Sequence, residues 1–428
     1  MPSAPGDSVL DTYPQPSRAG ELHRIQPHTG SSRRRATITA LAWLLVVPLL
    51  HAIPWLVDGA PWCGLLAIAS GLYLATRTGV LGSFWFTWLW GTIAIGAAFY
   101  WSPSAMAYTL SSDIGLGIVV AAPLILWDGL RLALGYWLAG RLTRDVHTIW
   151  LPAALTTIAV ETLMPSVFPW RLGFMILPWT EFTQAVDVFG PGWPTFAAFA
   201  ASGVLLSATT SLIAYCRSSE RTVADSRASH QSARGSRGHR AALGGALVVG
   251  LNCIYGLWAT NYWQDQMDKA AKTRVALVQV DPSFTHSLSQ SQGLTVAAGR
   301  DVDLVCWPES SGGNYELTLN ELSDHLKVFA CSREPERGLR PWPSPTCELL
   351  LGGKNYIGDR NEPDEIFVTA MLIDEKEKIT ARYNKRYLMP FGEYVPFENT
   401  VPGLAELFDM AEHMTPGKEA EVLNSKTG

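Results

Sequence analysis

The chain has 428 residues, enough for two or three domains, and its 48% hydrophobic content and mean hydropathy of +0.11 are unevenly spread. A net charge of −5 argues against nucleic acid as the main partner. The six cysteines (Cys63, Cys216, Cys253, Cys306, Cys331 and Cys347) show no CxxC or metal-ligand spacing. That pattern indicates neither a metal site nor a disulfide framework, and nothing calls for a cofactor.

Residues 1–36 are polar and carry Arg18, Arg24 and Arg33-Arg34-Arg35. They read as a disordered cytoplasmic tail ending in a basic anchor, too long and polar to open a cleaved signal peptide. A transmembrane domain is expected over 37–262. Apolar spans near 37–57, 62–76, 79–101, 114–138, 147–164, 190–214 and 241–260 each approach the length that crosses roughly 30 Å of hydrocarbon. The second and fifth are short. Between them the loops alternate in charge. The tail, Arg77, the Arg141/Arg144 loop and the 216–240 loop are basic, whereas the intervening loops carry Asp58, Asp113 and the mixture of Arg171, Glu181 and Asp187. The positive-inside rule then puts the basic loops in the cytoplasm and everything after Asn261 on the other side, the periplasm in a bacterium.

Most aromatic residues of this half, Trp85, Trp88 and Trp90 among them, read as interface anchors. The loop Phe168-Pro169-Trp170-Arg171-Leu172-Gly173 stands apart, with two rigid residues and a cation. It either faces lipid or substrate or is an ordinary interfacial loop.

From Thr273 the periodicity changes. Short β-branched or apolar runs at 274–280, 303–307, 349–353 and 366–373 predict strands, and 318–331 predicts a helix. Strands alternating with helices suggest a layered α/β domain over 272–428. Gly312-Gly313, Pro341 to Pro345 and Gly352-Gly353 mark loops.

Chemistry concentrates at two places in this half. Cys306-Trp307-Pro308-Glu309 puts a carboxylate just past the end of an apolar strand. Later, Tyr383 to Pro396 reads YNKRYLMPFGEYVP and sets Lys385 and Glu393 among aromatic, proline and glycine residues. A charge held in such a rigid, partly dry setting is costly and usually employed. Glu309 suggests a general base and Lys385 an oxyanion stabiliser. Cys306 lies within the strand and reads as a small core residue.

Leu304 to Glu309 and Arg382 to Pro396 resemble the apolipoprotein N-acyltransferases, membrane members of the nitrilase (carbon–nitrogen hydrolase) superfamily. The second motif is long and specific; Trp-Pro-Glu alone is weak. The resemblance covers almost the whole chain. It implies a polytopic α-helical membrane domain of about seven transmembrane helices, followed by a nitrilase-like α-β-β-α sandwich. It also implies a Glu, Lys, Cys triad in that chain order. Glu309 matches the base, Lys385 the lysine and Glu393 a supporting glutamate. The implied reaction moves a fatty acyl group from a phospholipid to a thiolate, then to the α-amino group of a diacylglyceryl-cysteine on an apolipoprotein. No metal or other cofactor takes part, and the implied setting is the bacterial inner membrane.

The family's nucleophilic cysteine follows the lysine, whereas all six cysteines here precede Lys385. The expectation is therefore a nitrilase-like domain that is incomplete at its C-terminal end, with the nucleophile beyond Gly428. On that expectation this chain forms no acyl-enzyme. Two other readings compete: a non-catalytic membrane protein that binds lipid or partners, and a membrane-tethered amidase with water as acceptor.

Overall fold

The computed structural model describes residues 30–57, 59–109, 113–166, 169–219, 231–280, 287–298, 302–309, 347–358, 363–374, 379–390, 392–396, 398, 400, 402 and 413–426. Phe168, Cys331, the expected helix at 318–331 and the loops at 312–313 and 341–345 lie outside them.

The first half is helical: α1 (Gly30–Leu56), α2 (Pro61–Ala75), α3 (Phe84–Ala98), α4 (Ser102–Thr109), α5 (Ile114–Leu142) and α6 (Trp150–Leu163). An irregular stretch follows, with a 3-10 turn at Leu172–Ile176 and two single-turn helices, α7 (Thr180–Thr183) and α8 (Val186–Phe189). The long α9 (Trp193–Ser219) and α10 (Gln231–Lys269) complete it. Segments within α5, α9 and α10 are long and apolar enough to cross a membrane, and α1, α2, α3 and α6 contribute shorter apolar helices of 10–17 residues. Leu45, Leu49, Leu247, Leu251 and Ile254 point outward from these helices. An apolar exterior on apolar helices marks a membrane protein.

Several boundaries differ from expectation. α1 begins at Gly30, inside the stretch read as tail, because arginine is a good helix former and the basic run simply continues the helix. α10 runs seven residues past 262 to Lys269, since nothing in Tyr262-Trp-Gln-Asp-Gln-Met-Asp-Lys269 breaks a helix and Lys269 pairs with Asp265 one turn back.

α3 and α5 cross where Gly91 faces Gly129. A Cβ on Gly91 would stand 2.6 Å from the Gly129 carbonyl, so only glycine lets the backbones meet. Trp90 lies beside this crossing and is fully buried, edge-on to His51 at 5.0 Å and to Tyr136 at 5.4 Å. It is a core residue and not an interface anchor. Trp85, by contrast, is 69% exposed. The basic residues of two separate loops gather at one end of the bundle. Arg144 donates to the Arg77 carbonyl at 2.6 Å, Arg77 lies over Tyr73, and Arg141 over Trp137.

The described residues of the second half form one mixed five-stranded sheet in the order β1 (Val275–Leu277), β2 (Leu304–Cys306), β3 (Glu348–Gly358), β4 (Pro363–Ile373), β5 (Ile379–Asn384). The first three strands are parallel; β3, β4 and β5 form an antiparallel meander. Among the described residues the alternation of strands with helices is seen between β1 and β2, which α11 (Ser287–Ala297) connects. β3 and β4 are both 11 residues long and adjacent in sequence, so they pair directly without a crossover. Val278, Val305, Leu349, Leu351, Met371 and Ile373 form the core of this half.

Candidate active site

β2 ends at Cys306, and the next residue anchors the chain as it leaves the sheet. The Trp307 amide donates to the Leu350 carbonyl at 2.9 Å, and its indole Nε1 donates to Thr295 Oγ1 of α11 at 2.8 Å. Trp307 is thus buried between helix and sheet, and Pro308 turns Glu309 out of the layer, where its side chain is 65% exposed.

β5 delivers the lysine. Asn384 pairs with Thr369 of β4, and the two side chains also bond, Thr369 Oγ1 donating to Asn384 Oδ1 at 2.8 Å. One step on, the Lys385 amide still reaches the Val368 carbonyl at 2.8 Å, and then the chain peels away from β4. The departing loop folds into a tight turn. Glu393 N–H donates to the Met389 carbonyl at 2.9 Å, while the Met389 amide donates back to Glu393 Oε2 at 2.8 Å. That reciprocal pair fixes the carboxylate and leaves Oε1 for the lysine.

The three residues expected to act together meet here. Lys385 Nζ donates to Glu393 Oε1 at 2.7 Å and to Glu309 Oε1 at 3.2 Å, although Glu309 is 76 residues away in sequence. Glu393 is 17% exposed and Lys385 31%, so the cluster grades from sheltered to open. Partial burial pulls the Lys385 pKa down, but hydrogen bonds from Glu393 and Glu309, with their charges, outweigh it and the net shift is upward. Lys385 is therefore a fixed ammonium near neutral pH. Two of its three donors are engaged by these carboxylates, which leaves one for an incoming oxyanion. With one cation between two carboxylates, the group keeps a negative charge that can accept a proton.

The two described thiols of this half, Cys306 and Cys347, are not poised for attack. Burial raises the Cys306 pKa. At Cys347 burial, reinforced by Asp303 and Glu348, pushes it up to about 11. Among the described residues, no group of three or more metal-ligating side chains comes together.

In the described part of the Phe-Pro-Trp loop, Trp170 turns inward. Trp170 Nε1 donates to Asp128 Oδ2 at 3.0 Å, and Trp170 packs on Trp55 and Phe99. Arg131 pairs with Asp128 at 2.7 Å and lies over the Trp170 ring. Glu161 accepts from the Leu172 amide at 2.7 Å and from Thr195 Oγ1 at 3.2 Å, with Arg171 at 3.6 Å. Motif reading of the sequence passes over Asp128, Arg131 and Glu161. A charged pair three residues apart inside an apolar span was the signal.

No protein-family model matches the chain. Curated relatives do. It is 27% identical over 158 residues to a protein named apolipoprotein N-acyltransferase from Haemophilus ducreyi, covering 34% of this chain and 28% of that protein. Longer matches run over 405 residues to the protein of that name in Brucella melitensis (24% identical; 87% of this chain, 66% of the relative) and over 384 residues to apolipoprotein N-acyltransferase 1 of Leptospira interrogans (21%; 84% and 62%). The chain thus spans less than two thirds of the length of these relatives. The motifs at Glu309 and Lys385 and the run of relatives agree: this chain is similar to the apolipoprotein N-acyltransferases, at 21–27% identity.

Proposed function

We propose that the chain serves phospholipid-dependent N-acylation of the N-terminal diacylglyceryl-cysteine of apolipoproteins. The observation that carries this reading is the ammonium of Lys385 held between Glu309 and Glu393 at the end of β5. Glu309 is the general base and, being the more exposed carboxylate, the one that can reach an incoming thiol or amine. Lys385 steadies the oxyanion of each tetrahedral intermediate, and Glu393 fixes its position. The acyl group passes through a cysteine thioester: the thiolate attacks the phospholipid ester and releases lysophospholipid, then the lipoprotein amine displaces the thiolate. The thiol is not one of the six cysteines of this sequence, all of which precede Lys385. A nitrilase-like sandwich around the sheet and seven membrane crossings complete the proposal, with basic loops in the cytoplasm of a bacterial inner membrane and the sheet on the periplasmic side.

Conversion of a diacylated lipoprotein to its triacylated form, followed in membranes carrying a version of the protein that includes a nucleophilic cysteine after Lys385, tests the chemistry. Glu309→Gln and Lys385→Met are each expected to lower the rate by about 10² to 10⁴. Near-wild-type turnover in either removes that residue from the mechanism. No conversion by the wild type, with lipid still bound, favours a non-catalytic membrane protein; acyl release to water favours an amidase. Reporter fusions after Arg240 and after Lys272, at the two ends of the apolar part of α10, should report opposite sides of the membrane. The same side for both overturns the seven-crossing topology.

A further inference from the structure

β5 stops pairing with β4 after Lys385, and this leaves the outer part of β4 without its neighbour. A later stretch of chain takes the vacant place. The Thr415 amide donates to the Ile366 carbonyl of β4 at 2.6 Å, two residues before the Val368 carbonyl that Lys385 uses. On either side of Thr415 the same stretch bonds the backbone of both charged residues. The Met414 amide donates to the Glu393 carbonyl at 2.7 Å, and the Gly417 amide to the Lys385 carbonyl at 2.8 Å. Met414 itself is buried.

Lys385 therefore sits in a fork, with β5 entering, the Met389–Glu393 turn leaving and residues 414–417 closing the gap. The closure is tight. A Cβ on Gly417 would stand 2.2 Å from the Asn384 carbonyl oxygen and 2.8 Å from its carbon, backbone atoms that Thr369 and the β4 ladder hold in place. The far end of the segment is tied down as well. Buried Glu348, at the start of β3, accepts from Ser425 Oγ at 2.5 Å and from the Lys426 amide at 2.9 Å.

We propose that Met414–Gly417 is a positioning strap that sets the spacing of Lys385 and Glu393, with Gly417 its positioning residue. A lysine side chain has four rotatable bonds and costs entropy to hold. Fixing the main chain at both ends of the Lys385–Glu393 pair, by the carbonyls of the two residues themselves, makes the 2.7 Å contact the resting arrangement. The proposal rests on the reading of this pair as reactive-site machinery, but its test needs no acyl transfer.

The test is acylation of the full chain in detergent by a water-soluble succinimidyl ester, read at the Lys385 peptide by mass spectrometry across pH, with exposed Lys272 as internal reference. In Gly417→Ala the added methyl displaces Asn384 and Lys385, the Glu393 contact opens, and Lys385 labelling is expected to rise several-fold relative to Lys272. Its pH profile should also move to lower pH, a shift that general loosening of the sheet does not confine to one lysine. Unchanged labelling and an unchanged profile in a variant with wild-type far-UV circular dichroism overturn the strap. Where Gly417→Ala does not fold, amide exchange on the unaltered chain decides. Met414, Thr415 and Gly417 amides as slow as Ala370 and Lys385 support the strap, and exchange at open-loop rates overturns it. A failed acylation assay alongside slow exchange would remove the reaction and leave the strap standing.

Discussion

The Asp128–Arg131–Glu161–Arg171 cluster of the helical half and the Glu309–Lys385–Glu393 cluster of the sheet half use the same kinds of side chain to opposite ends. In the first, two cations face two carboxylates, and the neighbours Trp170, Thr195 and the Leu172 amide supply further donors. Side-chain exposure there is 20% or less throughout. Such a cluster is nearly neutral and dry, with both carboxylates partnered although Arg131 Nε is not, and it ties the irregular stretch after α6 onto α5 and α9. Non-helical backbone within an apolar bundle needs that kind of anchoring. In the second, one cation serves two carboxylates, one of which is 65% exposed. Surplus charge and access are what a reacting group needs. The comparison teaches that number of charges matters less than whether the set is closed.

Breaking the closed set gives the largest expected effect. Arg131→Leu leaves the Asp128 carboxylate inside the bundle with the Trp170 indole as its one remaining partner among the described residues. Removing one member of a buried pair typically costs about 3–5 kcal/mol. A large drop in the denaturation midpoint in detergent is expected, and Asp128→Asn added to Arg131→Leu should recover part of it. A single variant as stable as wild type would mean the cluster is wetter than its burial implies.

This contrast also explains what could be foreseen from the residues. The trio was legible because its motif, Tyr383 to Pro396, is long and rigid, and because a carboxylate just past an apolar strand is a recognisable placement. The first four strands showed as β-branched or apolar runs. β5 was not legible as a strand, since Ile379-Thr-Ala-Arg-Tyr-Asn384 mixes polar and apolar residues at an edge and only its pairing with β4 defines it. The Met414–Gly417 segment was illegible for a deeper reason: its contacts run through main-chain N–H groups, which every residue but proline possesses. Asp128 and Arg131 were hidden among apolar neighbours, where attention falls on span length. Trp90 was misplaced because a tryptophan near a span end and one at a helix crossing look alike in sequence.

A smaller effect sharpens the second half of the comparison, by asking which thiol could serve the open cluster. With its pKa near 11, Cys347 has about a thousandth of its thiol ionised at pH 8. Iodoacetamide should modify it roughly a hundredfold more slowly than a free thiol of ordinary pKa. Its rate should climb with pH toward 11. Fast labelling at pH 8, or acylation of Cys306 or Cys347 by a phospholipid donor, would reopen both as nucleophiles.

The smallest effects come from the open cluster itself, and they separate stability from chemistry. Lys385 has a folded-state pKa above its unfolded value, so its contribution is fully present below about pH 10.4 and is lost as pH climbs through the folded value. The melting temperatures of wild type and Lys385→Met should therefore differ by a constant amount from about pH 6 to 9 and converge in stronger alkali. A difference that already changes through neutrality would place the titration on another group. Glu309→Gln should do less still. Its carboxylate is mostly in water, Lys385 keeps the shorter bond to Glu393, and exposed pairs are worth about 0–1 kcal/mol. A melting curve within a degree or two of wild type is the outcome that fits an open set. A loss of stability as large as that of Arg131→Leu would show that Glu309 holds the β2 exit in place, and the distinction between the two clusters would fall.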